Sequence, residues 1–219
     1  MKPVYHVLLK LMKQSIRDHF QKVDTTLFEV LSRLDHTLLT PKISDDYFVS
    51  LCEDIIGQQL GGKAADAITK RFHELLGKHG VCPESVLGES DDAIRAIGTS
   101  WAKVRSLKDL ARKVKDKIVR LENLPEKSDE KVIEELVKVK GIGPWTAEMF
   151  LMFSLGREDV FSYGDLGLKN AIQKIYGFKK SPSIKQISTI EKRWRPYRTY
   201  ACRILWASLD NRPASPELE

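Results

Sequence analysis

The chain has 219 residues, 42% of them apolar and 30% charged, with a formal net charge of +6. That length allows one large domain or two small lobes sharing a core, at roughly 100–200 residues per domain. The composition excludes a disordered tail, and 13 Gly and 9 Pro are too few for a collagen-like or low-complexity chain. An excess of positive charge favours a polyanionic partner, though only weakly by itself.

The N-terminus carries a short apolar stretch that Lys10 and Lys13 interrupt. This pattern predicts an amphipathic helix, not a signal peptide. No apolar run approaches the roughly 18 residues of a membrane span. Helical period recurs down the chain. Residues 46–57 place Phe48, Leu51, Cys52 and Ile55 on one face, and residues 63–77 do the same with Ile68, Phe72, Leu75 and Leu76. Residues 102–121 carry Val104, Leu107, Leu110, Ala111, Val114 and Ile118 on one stripe. Residues 129–139 follow an acidic start at Asp129 and Glu130, which suits a helix N-terminus, and Ser181-Pro182 reads as N-cap and N1 of a helix towards Trp194. Strand-type alternation is nearly absent. The expectation is an all-α fold of roughly ten helices in two lobes with a cleft between them. One lobe spans about 40–125, and the other joins 1–39 to 126–219.

Cys52, Cys82 and Cys202 are odd in number and widely spaced. They make neither a disulfide framework nor a four-ligand metal site, and they suggest reduced thiols inside a cell.

The most informative stretch runs from Leu136 to Ala147. An apolar helix stops at Gly141, Ile142 packs inward, Gly143 turns the chain and Pro144 opens the next helix. Glycines allow positive φ and close approach of a partner, and proline at N1 wastes no amide. The first-turn amides of the second helix form an anion site that reads backbone phosphate, not base sequence. A plain helical hairpin with a Gly-rich turn is the simpler alternative. Asp165 follows Trp145 by twenty positions, after Tyr163 and Gly164. It suits an N-cap for a helix starting near Leu166. A carboxylate placed there would also stabilise positive charge developing on a sugar carbon.

Taken together, the hairpin, the Gly-rich loop and Asp165 resemble the base-excision DNA glycosylases of the helix–hairpin–helix superfamily. Three further segments resemble that family. Ile55 to Ala65 is similar to its minor-groove intercalating loop, Gly98 to Val104 to its Gly-x-Ser-x-x-Lys segment, and Trp194 to Ala201 to the signature of the 3-methyladenine DNA glycosylase II branch. The resemblance covers about residues 18–210.

The resemblance implies a monofunctional enzyme of base excision repair that flips an alkylated purine from double-stranded DNA. Asp165 would assist attack by water. Trp145 stands where strand-cleaving relatives carry a Schiff-base lysine, so no lyase activity is expected. Trp145 and Trp206 would line the base pocket, with Met149 and Leu166 at positions that are aromatic in some relatives, and Tyr163 as a further candidate. Each Trp would equally suit core packing. Gln59 would fill the gap left by the flipped base, with Leu60 as a wedge beside it. Gly141, Ile142, Gly143 and Thr146 would grip phosphate. Lys63, Lys103, Arg105, Lys140, Lys169 and Arg198 are phosphate or structural cations.

The carbonyls of Val137, Val139 and Ile142 could bind a Na⁺ or K⁺ ion, as in relatives. No iron–sulfur cluster or other cofactor is expected. The implied protein is a monomer of the cytoplasm and nucleoid, or of a nucleus. The alternatives are a non-catalytic DNA-binding protein of the same fold, or a glycosylase for other damaged bases.

Overall fold

The computed structural model describes residues 2–40 and 43–209, of which residues 2–10 and His36 are described through the backbone alone. Among the described residues every regular element is helical and none is a strand, in agreement with the all-α expectation. No helix among them is long and apolar enough to cross a membrane. The chain groups into two compact units, residues 43–155 and the segments 1–42 with 156–219.

The N-terminal segment forms α1 (Lys2–Val23) and α2 (Thr25–Leu31). Asp24 stands between them as the N-cap of α2, its Oδ1 accepting from the Leu27 amide at 3.1 Å. Ile16 and Phe20 of α1 and Leu27 and Leu31 of α2 are fully buried.

Residues 43–155 carry α3 (Tyr47–Gly57), α4 (Gly62–Leu76), α5 (Pro83–Gly88), α6 (Asp91–Ala96), α7 (Trp101–Lys115), α8 (Asp129–Leu136) and α9 (Pro144–Phe153). Most N-caps follow from local chemistry. Asp46, Ser90, Ser100 and Ser128 each accept a first-turn amide of the helix they precede, a bond worth about 1 kcal/mol. The apolar faces meet in a core that includes Ile55, Leu107, Leu136 and Phe150, all fully buried. Each such side chain contributes about 1.5–3 kcal/mol by leaving water.

The remaining segment adds α10 (Leu166–Ile175), α11 (Ile184–Glu191) and α12 (Arg198–Leu209), with α12 packed on α10 and α2. Asp24 ties this unit together. Its Oδ2 accepts from the Tyr176 hydroxyl at 2.8 Å and from the Trp194 indole at 2.9 Å.

Three boundaries differ from the sequence reading. Residues 126–155 group with 43–125 and not with the Asp165 segment, because α9 packs on α3 and α8 and the turn before α9 is bonded to α7. The helix expected over 102–121 ends at Lys115. Lys117 adopts a left-handed φ of 56°, and the Ile118 amide closes back onto the Lys113 carbonyl at 2.9 Å. This 6→1 closure swings Val119 inward and leaves Ile118, expected on the buried stripe, 52% exposed. Finally, α11 starts at Ile184 with Ser183, not Ser181, as its cap, because Ser183 and Gln186 complete a reciprocal capping box.

Candidate nucleic-acid interface and active site

The turn between α8 and α9 starts earlier than the sequence suggests, since α8 ends at Leu136 and not at Gly141, while Gly143 and Pro144 open α9 as expected. Val137 is the C-cap of α8, the Ile142 amide donates to the Val139 carbonyl at 3.1 Å, and Gly143 precedes α9 as an N-cap without a side-chain cap. Ile142 is buried and Pro144 occupies N1. Gly141 has φ +83°, and a Cβ there would overlap Ser106 Oγ on α7. Glycine is therefore required twice, by conformation and by contact. The first turn of an α-helix has no intrahelical acceptors for its amides, so the start of α9 is suited to an anion.

Helix α7 fixes this turn. Asp109 Oδ2 accepts from the Lys140 amide at 2.7 Å and from Lys113 Nζ at 2.8 Å, while Lys113 Nζ also donates to the Lys138 carbonyl. These contacts hold the Asp109 carboxyl below the usual aspartate range although burial opposes it. Asp109 and Lys113 carried no signal in the sequence beyond helical surface positions. Gln58 adds a tie from the other side, donating from Nε2 to the Gly141 carbonyl at 3.0 Å and to Thr146 Oγ1 at 3.2 Å. Thr146, expected at the phosphate grip, is thus buried and engaged by Gln58.

The loop joining α3 to α4 presents Gln59 and Leu60. Gln59 is exposed in a left-handed conformation at φ 58°, and Leu60 is 37% exposed. A non-glycine residue in that region is held there by its surroundings. Lys103 supplies part of the hold. Its Nζ donates to the Ile56 carbonyl at 2.8 Å and the Gln58 carbonyl at 2.7 Å. Burial lowers the Lys103 pKa. This corrects the expectation of a phosphate contact: the Lys103 ammonium closes the end of α3 and shapes the loop. Lys63 and Arg105 are exposed, as is the Lys140 side chain.

Gln59 and Leu60 border a cavity of about 250 Å³ that Trp145, Thr146 and Met149 of α9 also line. Trp145 is 45% exposed, whereas Met149 is buried. Glu53 and Asp54 of α3 supply the acidic part of the wall. Glu53 Oε1 lies 2.8 Å from His73 Nε2 on α4. Asp54 Oδ2 is buried without a hydrogen-bond partner, and burial, with the Glu53 charge second, pushes the Asp54 carboxyl up to about 7. Sequence reasoning passed over Asp54, since an acid beside an apolar helix face looks like a solvated position.

In the other unit Asp165 is the N-cap of α10, its Oδ1 accepting from the Leu168 amide at 2.7 Å. The same oxygen accepts from Trp206 Nε1 of α12 at 3.1 Å. A Cβ on Gly167 would lie 3.1 Å from Asp165 Oδ1 and 3.4 Å from the Trp206 ring, so glycine there allows the pair to close. Leu166 is 69% exposed and Tyr163 38% exposed. The Tyr163 hydroxyl donates to Glu191 Oε1 at 2.7 Å. Arg198 is structural here, donating to Asp159 at 2.6 Å and to Glu191 at 3.2 Å. Asp159 is thereby held by cations, while Lys169 is half-buried on α10. Among the described residues no group of three or more His, Cys, Asp or Glu could hold a metal ion, and Cys52, Cys82 and Cys202 are free thiols.

Residues 52–196 match the HhH-GPD superfamily base excision DNA repair protein family. The chain belongs to that superfamily. It is 34% identical over 206 residues to YfjP of Bacillus subtilis, spanning 90% of this chain and 69% of the relative. A solved DNA-3-methyladenine glycosidase from Bacillus halodurans is 36% identical with a TM-score of 0.71, over 86% of this chain and 85% of that one. The 3-methyladenine DNA glycosylase of Schizosaccharomyces pombe, solved with abasic DNA, is 29% identical with a TM-score of 0.76, over 88% and 95% of the two chains.

Proposed function

We propose that this protein is a DNA-3-methyladenine glycosylase of base excision repair, hydrolysing the N-glycosidic bond of alkylated purines in double-stranded DNA. The observation that carries the reading is Asp165, whose Oδ1 is fixed by the Leu168 amide and the Trp206 indole in a chain whose relatives include glycosylases of that name.

Each group has a stated task. The amides at the start of α9 and the turn Gly141 to Gly143 hold a phosphate through backbone, with Lys63 and Lys169 as cations for others. Gln59 and Leu60 enter the minor groove and fill the space of the extruded base. Trp145 and Met149 contact that base, and Trp206, Leu166 and Tyr163 serve the Asp165 end. Bond cleavage places positive charge on the deoxyribose C1′, and the Asp165 carboxylate stabilises it and orients the attacking water. The products are free base and an abasic site. Trp145 has no amine to form a Schiff base, so the strand stays intact.

The carbonyls of Val137, Val139 and Ile142 form an oxygen-only donor set without a carboxylate. That set fits a monovalent ion such as Na⁺ or K⁺, whose charge would add to the phosphate grip. The protein acts as a monomer wherever the cell keeps its DNA. Chromatography of bases released from methylated DNA tests the reading. Release of 3-methyladenine and 7-methylguanine by the native chain, lost in Asp165→Asn, is the expected result. A native chain that binds duplex DNA but releases no base would make it a DNA-binding protein instead.

A further inference from the structure

The cavity beside Gln59 has an unusual balance of charge for a surface meant to face DNA. Its wall holds two carboxyl groups, Glu53 and Asp54, and no Lys or Arg. Two cationic side chains bonded to α3 and the loop after it are committed: Lys103 Nζ is bonded to two carbonyls, and His73 faces Glu53. Glu53 therefore has a partner, whereas Asp54 Oδ2 is buried with none. A buried polar atom without a partner is costly, and its persistence at a cavity wall points to a ligand that completes it.

The wall also defines the chemistry of that ligand. Trp145 offers an aromatic face and Met149 a polarisable sulfur, both suited to a flat cation. A carboxylate is acceptor-only. The complement is a planar, positively charged heterocycle with N–H groups on its edge. Purines alkylated at N3 or N7 are cationic in DNA. The adenine 6-amino group, or guanine N1–H and its 2-amino group, supplies the donors.

We infer that Asp54 is a specificity residue of the base pocket, accepting a hydrogen bond from the edge of a cationic alkylated purine while Trp145 and Met149 contact its face. This rests on the glycosylase reading above. Burial first and the neighbouring Glu53 charge second keep the proton on this acid up to about pH 7, while Glu53 itself faces His73 of α4. A cationic base brings the missing counter-charge and favours the ionised form. The base leaves as a neutral molecule, so the attraction fades as the bond breaks. Asp54 thus acts in capturing the damaged base, and Asp165 in breaking the bond.

The test uses the full chain and two duplexes, one with a single 7-methylguanine and one with a tetrahydrofuran abasic analogue. Asp54→Asn keeps shape and removes charge. It should slow 7-methylguanine release at limiting enzyme about tenfold, the size expected for a lost bond to a charged group. Tetrahydrofuran-duplex binding, which involves no base, should be unchanged, and thermal melting at pH 8 should not fall. Native-like release by Asp54→Asn overturns the inference while leaving the glycosylase reading intact. Equal loss of release and of tetrahydrofuran binding, with melting unchanged, also overturns it, since Asp54 would then shape the DNA grip. If the native chain itself releases no methylated base, the glycosylase reading fails first.

Discussion

In residues 43–155 the proposed phosphate grip is backbone, and side chains from neighbouring elements set it in place. Gln58 reaches the Gly141 carbonyl, Asp109 the Lys140 amide, Lys113 the Lys138 carbonyl and Lys103 the carbonyls of Ile56 and Gln58. The proposed reacting group, Asp165, is a side chain, and its lateral support is another side chain, the Trp206 indole. The same holds for the Arg198, Asp159, Glu191 and Tyr163 cluster nearby. A grip that must fit any sequence uses the part of the chain common to all residues. A reacting group must have one particular chemistry, so it is a side chain, held by an indole that cannot exchange its proton for charge.

The largest effect should come from the Asp165 end. Asp165→Asn keeps an N-cap of equal quality, so melting should stay within about 1 °C. Base release should fall at least about 100-fold, the cost of removing a preorganised charge from a reaction centre. A parallel loss of stability would mean that Asp165 serves α10 alone.

At the hairpin, Gly141→Ala forces a Cβ onto Ser106 Oγ at a positive φ. Denaturant unfolding should show a loss of about 2–3 kcal/mol, with weaker binding to duplexes of any sequence. Ser106→Gly in the same chain should recover part of both. Recovery of stability without recovery of binding would separate the turn's fold from its grip.

The buried acid between these extremes is measured by pH. Asp54 keeps its proton to about pH 7 when folded but releases it near pH 3.9 when unfolded. Between those values the folded chain binds more protons, so stability falls as pH rises through the window. Asp54→Asn removes that slope. Its advantage should be absent below pH 4 and approach about 4 kcal/mol at pH 8, read from urea midpoints in a pH series. An unchanged slope would place the acid in water.

The smallest effect distinguishes two lysines. Lys63→Ala should reduce the salt dependence of DNA affinity by about one phosphate contact. Lys103→Met should leave that slope unaltered and lower stability by about 1–2 kcal/mol by leaving two carbonyls unpartnered. A reduced slope for Lys103→Met would restore it as a phosphate ligand.

What could be read from the chain follows the same division. The turn from Leu136 to Ala147 and the cap at Asp165 were legible because glycine, proline and aspartate act on their own backbone within a few residues. Helix faces at 46–57 and 63–77 were legible from period alone. The anchors were not. Asp109 and Lys113 act from α7 onto a turn 31 and 25 positions away, and such pairs leave no local pattern. Asp54 was hidden because the cavity it lines is completed by Trp145, Thr146 and Met149, some 90 positions later in the chain. The end of α7 was misplaced because the closure at Lys117 overrides a stripe that continues to Ile118.

The anchoring of the hairpin by α7 bears on how mutational maps of this protein should be interpreted. Alanine scanning removes side chains beyond Cβ and leaves the peptide untouched. Across Gly141 to Gly143 it would trim almost nothing that could touch a ligand. At Asp109 and Lys113 it would cut the supports, and a heat map of lost affinity would brighten along a helix whose anchoring side chains face the turn. The brightest positions would then mark the scaffold behind the contact surface.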